Sequence, residues 1–402
     1  MTNEMNVPEL RFPGFEDEWK INLFGELVTN KSDKHLPKNN EQLIDIELDS
    51  IESNTGRLIH KYNSSHFSSQ KHKFNKNQVL YSKLRPYLNK YYFTNFNGVC
   101  SSEIWVLNTK SDLKLINEFI YNFIQTNKFS QIANKSAGSK MPRADWNLVE
   151  NIRFNIPMLK EQEKIGSFFS KLDRQIELEE QKLEKLEEQK KGYMQKIFSQ
   201  QLRFKDENGN DYPEWKLCKL KDITISLKGQ EKITKNLPIL TISASKGWLK
   251  QEERFSQIIA GNSLKKYTHI KKGDLSYNKG NSKLAKYGIV YMLKEGEALV
   301  PNVYKSFRPK KYIASYFLEK YFHSQSVDRQ LRTKISSTAR MDGLLNISDK
   351  DFYEVNLKIP SYSEQDKIGS FFKKFDGFIG KQLNKVELLK ERKKGFLQKM
   401  FV

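Results

Sequence analysis

Two stretches of the chain share the same heptad alternation of apolar and polar positions. They run from 161 to 198 and from 364 to 401, and they align without a gap at an offset of 203 residues. Apolar residues recur at alternating steps of four and three, and eight of the ten positions generated in this way are apolar in each copy. A period of 3.5 residues predicts two long helices, each with a narrow stripe that packs against another helix.

The polar residues within each stripe indicate how the helices pair. They are Glu179 and Lys190 in the first copy, and Gln382 and Lys393 in the second. An antiparallel pairing of Glu179 with Lys393, and of Lys190 with Gln382, leaves no polar residue opposite an apolar one, and polar core residues commonly fix register. We predict an antiparallel coiled coil in this register rather than two amphipathic helices that each lie on their own domain. Its predicted core positions are Leu172, Ile176, Glu179, Leu183, Leu186, Lys190, Ile379, Gln382, Val386, Leu389, Lys393 and Phe396.

The regions that precede the two helices also repeat. Leu-Arg-Phe opens both regions, at 10–12 and at 202–204, and residues 76–83 (KNQVLYSK) match residues 272–279 (KGDLSYNK). Short apolar runs broken by Gly, Asn and Ser predict strands, and a proline ends each region before its helix. A repeat with a long period indicates one module written twice. We therefore predict an α+β fold with a pseudo-two-fold internal repeat: two mixed α/β domains at 1–157 and 202–360, and two long helices at 158–201 and 361–402.

Basic residues concentrate in loops that differ between the two otherwise similar domains. The loops after the matching strands read LRPYLNK at 84–90 and GNSKLAK at 280–286, and a second polar loop lies at 134–143 in one domain and 333–340 in the other. Similar frames with unlike loops suggest two related recognition tasks, although drift after a duplication would leave the same pattern. We expect these loops to contact DNA through Lys83, Arg85, Lys140, Arg143, Lys279, Lys283 and Arg340.

The charge distribution supports a polyanionic partner for the two domains. The 402-residue chain has a formal net charge of +21. Residues 28–157 contain 18 Lys/Arg against 11 Asp/Glu, and residues 218–357 contain 26 against 13. The first long helix balances 9 against 9, which suits a protein interface better than a nucleic acid. The excess positive charge therefore lies mainly in the two domains, where it favours nucleic-acid binding.

Several classes of site are not predicted. The chain contains no phosphate-binding G-x-x-x-x-G-K-[ST] loop and no Asn/Asp-Pro-Pro-aromatic run of the kind that holds a flipped adenine. Its two cysteines and six histidines show no metal-binding spacing, and no apolar run is long enough for a membrane span. We expect a cytoplasmic protein with no catalytic residue, cofactor or metal of its own, although Asp45, Glu47 and Asp49 offer carboxylates that Mg²⁺ accepts.

With these motifs in view, the chain resembles the specificity subunit of type I restriction–modification systems. The resemblance rests on the Glu-Gln-x-Lys-Ile-Gly-Ser-Phe-Phe openings of both helices, their Lys-Lys-Gly ends and the Leu-Arg-Pro-Tyr-Leu turn at 84–88. It implies two target-recognition domains that read a bipartite, asymmetric site in double-stranded DNA. It also implies two methylation (M) subunits that carry S-adenosylmethionine, and restriction (R) subunits that use ATP and Mg²⁺. The second domain lacks the Leu-Arg-Pro-Tyr-Leu turn, so the resemblance supports Lys83 and Arg85 more directly than Lys279 and Lys283.

Two other functions remain open from the sequence. A coiled-coil adaptor without DNA readout accounts for the helices but not for the basic second domain. A self-contained DNA-modifying enzyme accounts for the basic charge but lacks the expected cofactor motifs.

Overall fold

A computed structural model describes residues 6–37, 42–66, 68–135, 140–229, 237–254, 266–280, 282, 284–335 and 345–401. The contacts divide the chain into two units, of which the first comprises residues 1–181 and 383–402 and the second comprises residues 182–382. Each unit therefore contains one globular region, the start of one long helix and the end of the other. The predicted domains are continuous segments of the chain, whereas each unit is defined by its contacts and combines two separate segments or the middle of the chain.

The first unit is built from short strands and short helices. Its strands are β1 (Lys20–Leu23), β2 (Val28–Thr29), β3 (Lys34–His35), β4 (Ile44–Ile46), β5 (Tyr62–Asn63), β6 (Lys71–Phe74), β7 (Val79–Ser82), β8 (Tyr91–Phe93), β9 (Gly98–Ser101), β10 (Ile104–Thr109) and β11 (Arg153–Ile156). Its helices are α1 (Phe24–Leu27), α2 (Asn117–Phe123), α3 (Asn127–Ala133) and α4 (Trp146–Val149), with 3₁₀ turns at Ser64–His66 and Pro86–Leu88. The first long helix, α5 (Leu159–Phe198), starts in this unit.

The second unit largely repeats this order of elements. Its strands are β12 (Lys216–Lys219), β13 (Thr224–Leu227), β14 (Leu240–Ser243), β15 (Gly247–Lys250), β16 (Thr268–Lys271), β17 (Leu275–Asn278), β18 (Ile289–Met292), β19 (Glu297–Val300), β20 (Lys305–Pro309) and β21 (Asn356–Ile359). Its helices are α6 (Leu220–Ile223), α7 (Gln251–Arg254), α8 (Ser315–His323), α9 (Asp328–Lys334) and α10 (Asp349–Tyr353), and the second long helix, α11 (Tyr362–Lys399), starts here.

The sheet topology shows that the repeat extends well beyond the matching sequence. The order β2-β10-β7-β8 in the first unit corresponds to β13-β20-β17-β18 in the second, and the pair β1-β11 corresponds to β12-β21. In the first unit β9 pairs antiparallel with β6 and parallel with β4. In the second unit β19 pairs antiparallel with β16, and its Leu299 forms a parallel bridge with Ile239, next to β14. The predicted α+β class and the internal repeat are confirmed.

A buried glutamate anchors the start of each long helix. The Glu161 carboxylate is fully buried and accepts hydrogen bonds from the Arg11 guanidinium at 2.8 and 2.7 Å. Glu364 is bound in the same way by Arg203, at 3.2 and 2.7 Å. These bidentate pairs give a reason for the repeated Leu-Arg-Phe motif, because its arginine neutralises the buried carboxylate of the helix opening.

The glutamine that follows each glutamate ties the helix to its own unit. The amide oxygen of Gln162 accepts from the Ile116 amide at 3.0 Å, and its amide nitrogen donates to the Pro157 carbonyl at 2.9 Å. Gln365 accepts from the Ala314 amide at 2.9 Å and donates to the Pro360 carbonyl at 3.0 Å. Both side chains are buried, so each satisfies backbone groups that water does not reach.

The C-terminal ends of the long helices pack into the globular cores. Leu397 and Met400, at the end of α11, lie in the first unit's core together with Ile165 and Phe169 of α5. At the end of α5, the apolar side chains join the second unit's core, where they contact the start of α11. These side chains are Met194, Ile197 and Phe198. The apolar residues that follow each Lys-Lys-Gly are therefore a hydrophobic anchor, and each core is completed by both helices.

The two long helices are antiparallel, but the predicted register is wrong by about one heptad. Within the first unit Lys393 pairs with Asp173 at 2.6 Å, whereas the prediction set it against Glu179. Glu179 instead pairs with Lys385 at 2.5 Å. Within the second unit Lys190 pairs with Asp376 at 2.6 Å instead of Gln382. The prediction matched polar core positions with one another, but carboxylates that flank the core satisfy the lysines and leave the apolar ends free to set the register.

The two lysine–aspartate pairs are related by the internal repeat. Lys190 and Lys393 differ by 203 residues, as do Asp173 and Asp376. All twelve predicted core positions of the heptad stripe are buried or half-buried. The Phe168 and Phe396 rings meet at 5.1 Å in the first unit, and Tyr193 contacts Phe371 at 5.2 Å in the second.

Removing the buried anchor of α11 tests its contribution to stability. Glu364 also accepts from the Trp215 indole at 3.2 Å, so Glu364→Ala leaves the buried indole N–H without its acceptor and removes the carboxylate that neutralises Arg203. We expect the free energy of unfolding to fall by about 3 kcal/mol or more. Urea unfolding followed by tryptophan fluorescence measures this loss, and Glu207→Ala, at an exposed carboxylate of the same unit, is the control. Equal midpoints for the two variants would contradict the anchoring role.

The pH dependence of stability tests the ion pairs of the second unit. Burial alone would raise the pKa of Asp376, but the ammonium groups of Lys320 and Lys190 outweigh this effect and hold that pKa below its usual range. A carboxyl with a depressed folded pKa stabilises the fold above its unfolded pKa of about 3.9, and this stabilisation is lost as the pH falls towards the folded value. Asp376→Asn should therefore cost about 2–4 kcal/mol at pH 7, and the difference from the wild type should shrink below about pH 4.

Urea titrations between pH 3 and pH 7 measure this difference. Asp366→Asn removes an exposed carboxylate from the same helix and is the matched control, with an expected effect within about 0.5 kcal/mol. A cost of Asp376→Asn that stays the same from pH 7 to pH 3 would exclude the electrostatic explanation.

Candidate nucleic-acid interface

The first candidate interface begins where β7 ends. The chain leaves the strand at Ser82, whose hydroxyl donates to the Leu84 carbonyl at 2.9 Å. It then enters the 3₁₀ turn at Pro86–Leu88, and Arg85 and Asn89 on either side of this turn adopt left-handed backbone angles, with φ of 53° and 46°. Residues with a Cβ rarely adopt this conformation, and the Arg85 side chain is exposed to solvent.

The second polar loop of the first unit lies directly against this turn. The Arg85 amide donates to the Pro142 carbonyl at 2.8 Å, and the Ala144 amide donates to the Lys83 carbonyl at 2.8 Å. Leu84 and Arg143 form an isolated antiparallel bridge between these two hydrogen bonds. The structure thus brings Lys83, Arg85 and Arg143, with Lys140 three residues before Arg143, into one region of the surface.

The four predicted cations of this region differ in their surroundings. Arg143 donates to both carboxylate oxygens of Glu103, at 3.0 and 3.1 Å. Lys83 is half-buried, whereas Arg85 and Lys140 are exposed. Tyr87, at the tip of the turn, is 57% exposed. The sequence prediction did not include Tyr87, although an aromatic side chain beside basic residues in a loop is itself a signal for nucleic-acid contact.

The second unit repeats the junction between its two loops. Lys279 follows β17 as Lys83 follows β7, and its carbonyl accepts from the Leu345 amide at 2.8 Å. Leu345 lies five residues after the end of the second polar loop of this unit, whereas Ala144 follows the corresponding loop of the first unit directly. Lys283 and Arg340, the other two cations predicted for this unit, lie outside the described residues.

A basic cleft that the sequence prediction missed lies beside Lys279. It has a volume of about 370 Å³, and its lining includes Lys228, Lys266, Lys279 and Lys305. The carboxylate of Asp349 lies in the same cleft and pairs with Lys228 at 2.8 Å and Lys305 at 2.5 Å. Hydrogen bonds from Lys228 and from Lys305 lower the pKa of Asp349 to about 2, so this carboxylate stays ionised at neutral pH.

The corresponding place in the first unit has a different chemistry. Strand pairing sets Trp105 opposite Tyr81 in the first unit and Lys305 opposite Tyr277 in the second. Trp146 and Asp349 are both the first residue of the short helix that precedes the last strand. The first unit thus has an edge-to-face tryptophan pair with ring centroids 5.3 Å apart where the second has a lysine–aspartate pair. An alignment of the two halves reveals this exchange only once the strand register is known.

The acidic residues considered for Mg²⁺ binding form ion pairs or hydrogen bonds with other side chains. Lys71 is buried and pairs with both Asp45, at 2.9 Å, and Glu47. Asp49 accepts from the Tyr62 hydroxyl at 2.7 Å. Among the residues that the structure describes, no group of three or more His, Cys, Asp and Glu side chains is arranged to hold a metal ion. In the same part of the chain, no helix is both long enough and apolar enough to span a membrane.

Comparison with known proteins identifies related chains. A 156-residue segment is 28% identical to the specificity subunit of the type I restriction enzyme EcoDI from Escherichia coli, covering 38% of this chain and 34% of that protein. A 136-residue segment is 29% identical to the MjaVIII specificity subunit from Methanocaldococcus jannaschii, covering 33% of this chain and 32% of the relative. The matched segments thus span about a third of each relative.

The fold is also found in a solved structure. The type I restriction–modification S subunit from M. genitalium superposes with a TM-score of 0.57 over 98% of this chain and 99% of that one, at 15% sequence identity. This likeness concerns the fold alone. The family model for the type I restriction modification DNA specificity domain matches the chain twice, at residues 16–188 and 212–388. These two matches cover most of both units, and the chain therefore belongs to the type I restriction–modification DNA specificity family, with two copies of the domain.

Proposed function

We propose that this protein is the DNA-recognition subunit of a type I restriction–modification complex, in which each unit reads one half of a bipartite site. The observation that carries the proposal is the backbone junction that joins two polar loops in each unit. In the first unit it gathers cations that are distant in the sequence, and in the second it lies beside the basic cleft. Phosphate contacts from such residues position a protein on DNA, whereas contacts with base edges supply specificity.

The unlike surfaces of the two units favour an asymmetric site. The first unit has a largely buried tryptophan pair where the second has a lysine–aspartate pair, and the loops beside these pairs differ in sequence. The two half-sites should therefore differ in sequence, and the complete site should not be a palindrome.

The two other functions that the sequence left open have less support than DNA recognition. An adaptor that binds only proteins leaves the basic cleft and the polar loops without a role. An enzyme needs a catalytic constellation, but the carboxylates considered for that purpose are paired with Lys71 and Tyr62. We infer that the chain is non-catalytic and has no cofactor of its own, and that S-adenosylmethionine, ATP and Mg²⁺ act in the methylation and restriction partners.

Removing cations from the first unit's loops tests whether these loops bind DNA. Combined Lys83→Ala, Arg85→Ala and Lys140→Ala substitutions should weaken binding to a duplex that contains the recognition site. They should also flatten the dependence of log affinity on log salt by about 0.9 for each phosphate that the variant no longer neutralises. Fluorescence anisotropy between 50 and 200 mM salt measures both quantities.

A charge-matched variant is the control for this experiment. Lys182, Lys185 and Lys191 are exposed on α5, and alanine at all three removes the same charge from a surface that we do not assign to DNA. The control should keep the wild-type salt dependence. If the loop variant and the control have the same affinity and slope, the DNA-binding surface lies elsewhere.

The partner stoichiometry is a separate prediction. The long helices expose apolar side chains among their charged residues, including Leu178 at 49%, Phe378 at 57% and Leu388 at 54%. Exposed apolar groups of this kind are typical of protein-binding surfaces. The positions equivalent to them in the other helix are Lys381, Gln175 and Lys185, so the expectation of two partners rests on the repeated architecture of the chain and not on these side chains. We expect one chain to bind two methylation subunits, and native mass spectrometry of the co-purified complex measures the ratio. A single methylation subunit per chain at saturation would contradict this expectation.

A further inference from the structure

The cleft in the second unit holds an acceptor and a donor side by side at its edge. Asp349 is half-exposed, with 48% of its side chain accessible, and Lys228 is 74% exposed. Lys305 lies beneath them with only 8% of its side chain accessible, and its ammonium group contacts one Asp349 oxygen while Lys228 contacts the other. Each carboxylate oxygen keeps a lone pair for a further donor, because an ionised carboxylate accepts about four hydrogen bonds.

The Asp349 carboxylate makes the cleft unfavourable for the binding of phosphate alone. A phosphate held by Lys228, Lys266 and Lys305 would meet the negative charge of Asp349, whose low pKa of about 2 keeps it ionised. The negative charges of the phosphate and the Asp349 carboxylate repel each other and oppose binding. A base pair in the major groove avoids the conflict, since it offers amino donors as well as carbonyl and ring-nitrogen acceptors.

We propose that Asp349 and Lys228 read one C·G base pair of the second half-site. The Asp349 carboxylate would accept a hydrogen bond from the cytosine N4 amino group, and the Lys228 ammonium would donate to O6 of the paired guanine. Aspartate accepting from cytosine and lysine donating to guanine are the pairings that these side chains favour. The inference rests on the proposed function, because it names the base pair that one part of the recognition surface selects.

Lys305 acts in this proposal as a positioning residue. It is too buried to reach a base, but its ammonium group fixes the Asp349 carboxylate and offsets its charge. The first unit has no counterpart to this arrangement, because Trp105 and Trp146 occupy the equivalent positions. The preference for a C·G pair should therefore be confined to the half-site read by the second unit.

Selection from a randomised duplex library tests the assignment. The full-length chain, purified with any partner that it retains, is used to enrich bound duplexes, which are then sequenced. We expect Asp349→Ala to relax one C·G position by roughly 5- to 150-fold in relative preference, with every other position unchanged. Asp349→Asn should shift the same position towards adenine, because an amide pairs with adenine N6 and N7.

Further variants separate the base-reading role of Asp349 and Lys228 from the positioning role of Lys305. Lys228→Ala should relax the same position as Asp349→Ala. Lys305→Met should relax that position more weakly, and its other selected positions should not change. Asp211→Asn, which removes an exposed carboxylate from an ion pair elsewhere in the second unit, is the matched control and should select the wild-type motif.

Each outcome decides the proposal. If the Asp349 variants select the wild-type motif with or without a uniform loss of affinity, the carboxylate does not read a base and the inference is wrong. An adenine at this position in the wild-type motif would show that Asp349 reads the adenine N6 amino group and would overturn the assignment of cytosine. If the wild-type chain enriches no motif at all, the proposed function fails, and this result is distinct from an altered or unaltered base within a selected motif.

Discussion

The register of the two long helices within each unit is the constraint on which the rest of the fold depends. Lys393 binds Asp173 in the first unit, and Lys190 binds Asp376 in the second, at the same distance of 2.6 Å. The register that makes these pairs also delivers Leu397 and Phe198 to the two globular cores. A shift of one heptad would move each helix end by about 10 Å and withdraw it from its core. The helices therefore complete the two hydrophobic cores as well as packing on each other.

This arrangement separates what the two units share from what distinguishes them. The shared features are buried: the carboxylates of Glu161 and Glu364 with their arginines, the glutamines that bind backbone groups, and the apolar helix ends. The differences lie in the loops that follow β7 and β17, at exposed positions and at the positions of Trp105 and Lys305 beneath them. A frame fixed by buried ion pairs and apolar contacts tolerates such changes, because substitutions at exposed loop positions cost little stability. The exchange of Trp105 and Trp146 for Lys305 and Asp349 shows how far the chemistry can differ without a change in topology.

The sequence predicted the helices, the repeat and the fold class because each of these leaves a periodic or repeated signal. It did not predict the register. The polar core residues were matched with each other, but Asp173 and Asp376 lie beside the core stripe and take the lysines instead. It also placed Lys83, Arg85 and Arg143 in candidate loops but missed Lys228, Lys305 and Asp349. These three residues come together only through the pairing of β20 with β17 and the position of α10, and neither of these is visible in local sequence.

The charge of residues 218–357 illustrates why composition alone does not reveal which DNA sequence a protein selects. Its 26 Lys/Arg against 13 Asp/Glu favour binding to any polyanion, and this attraction is the same for every DNA sequence. Discrimination requires a group that a phosphate cannot satisfy. An ionised carboxylate within a basic cleft meets that requirement, because it lowers the affinity for phosphate while it accepts hydrogen bonds from base amino groups. Asp349 is therefore informative because its charge opposes that of the cleft around it.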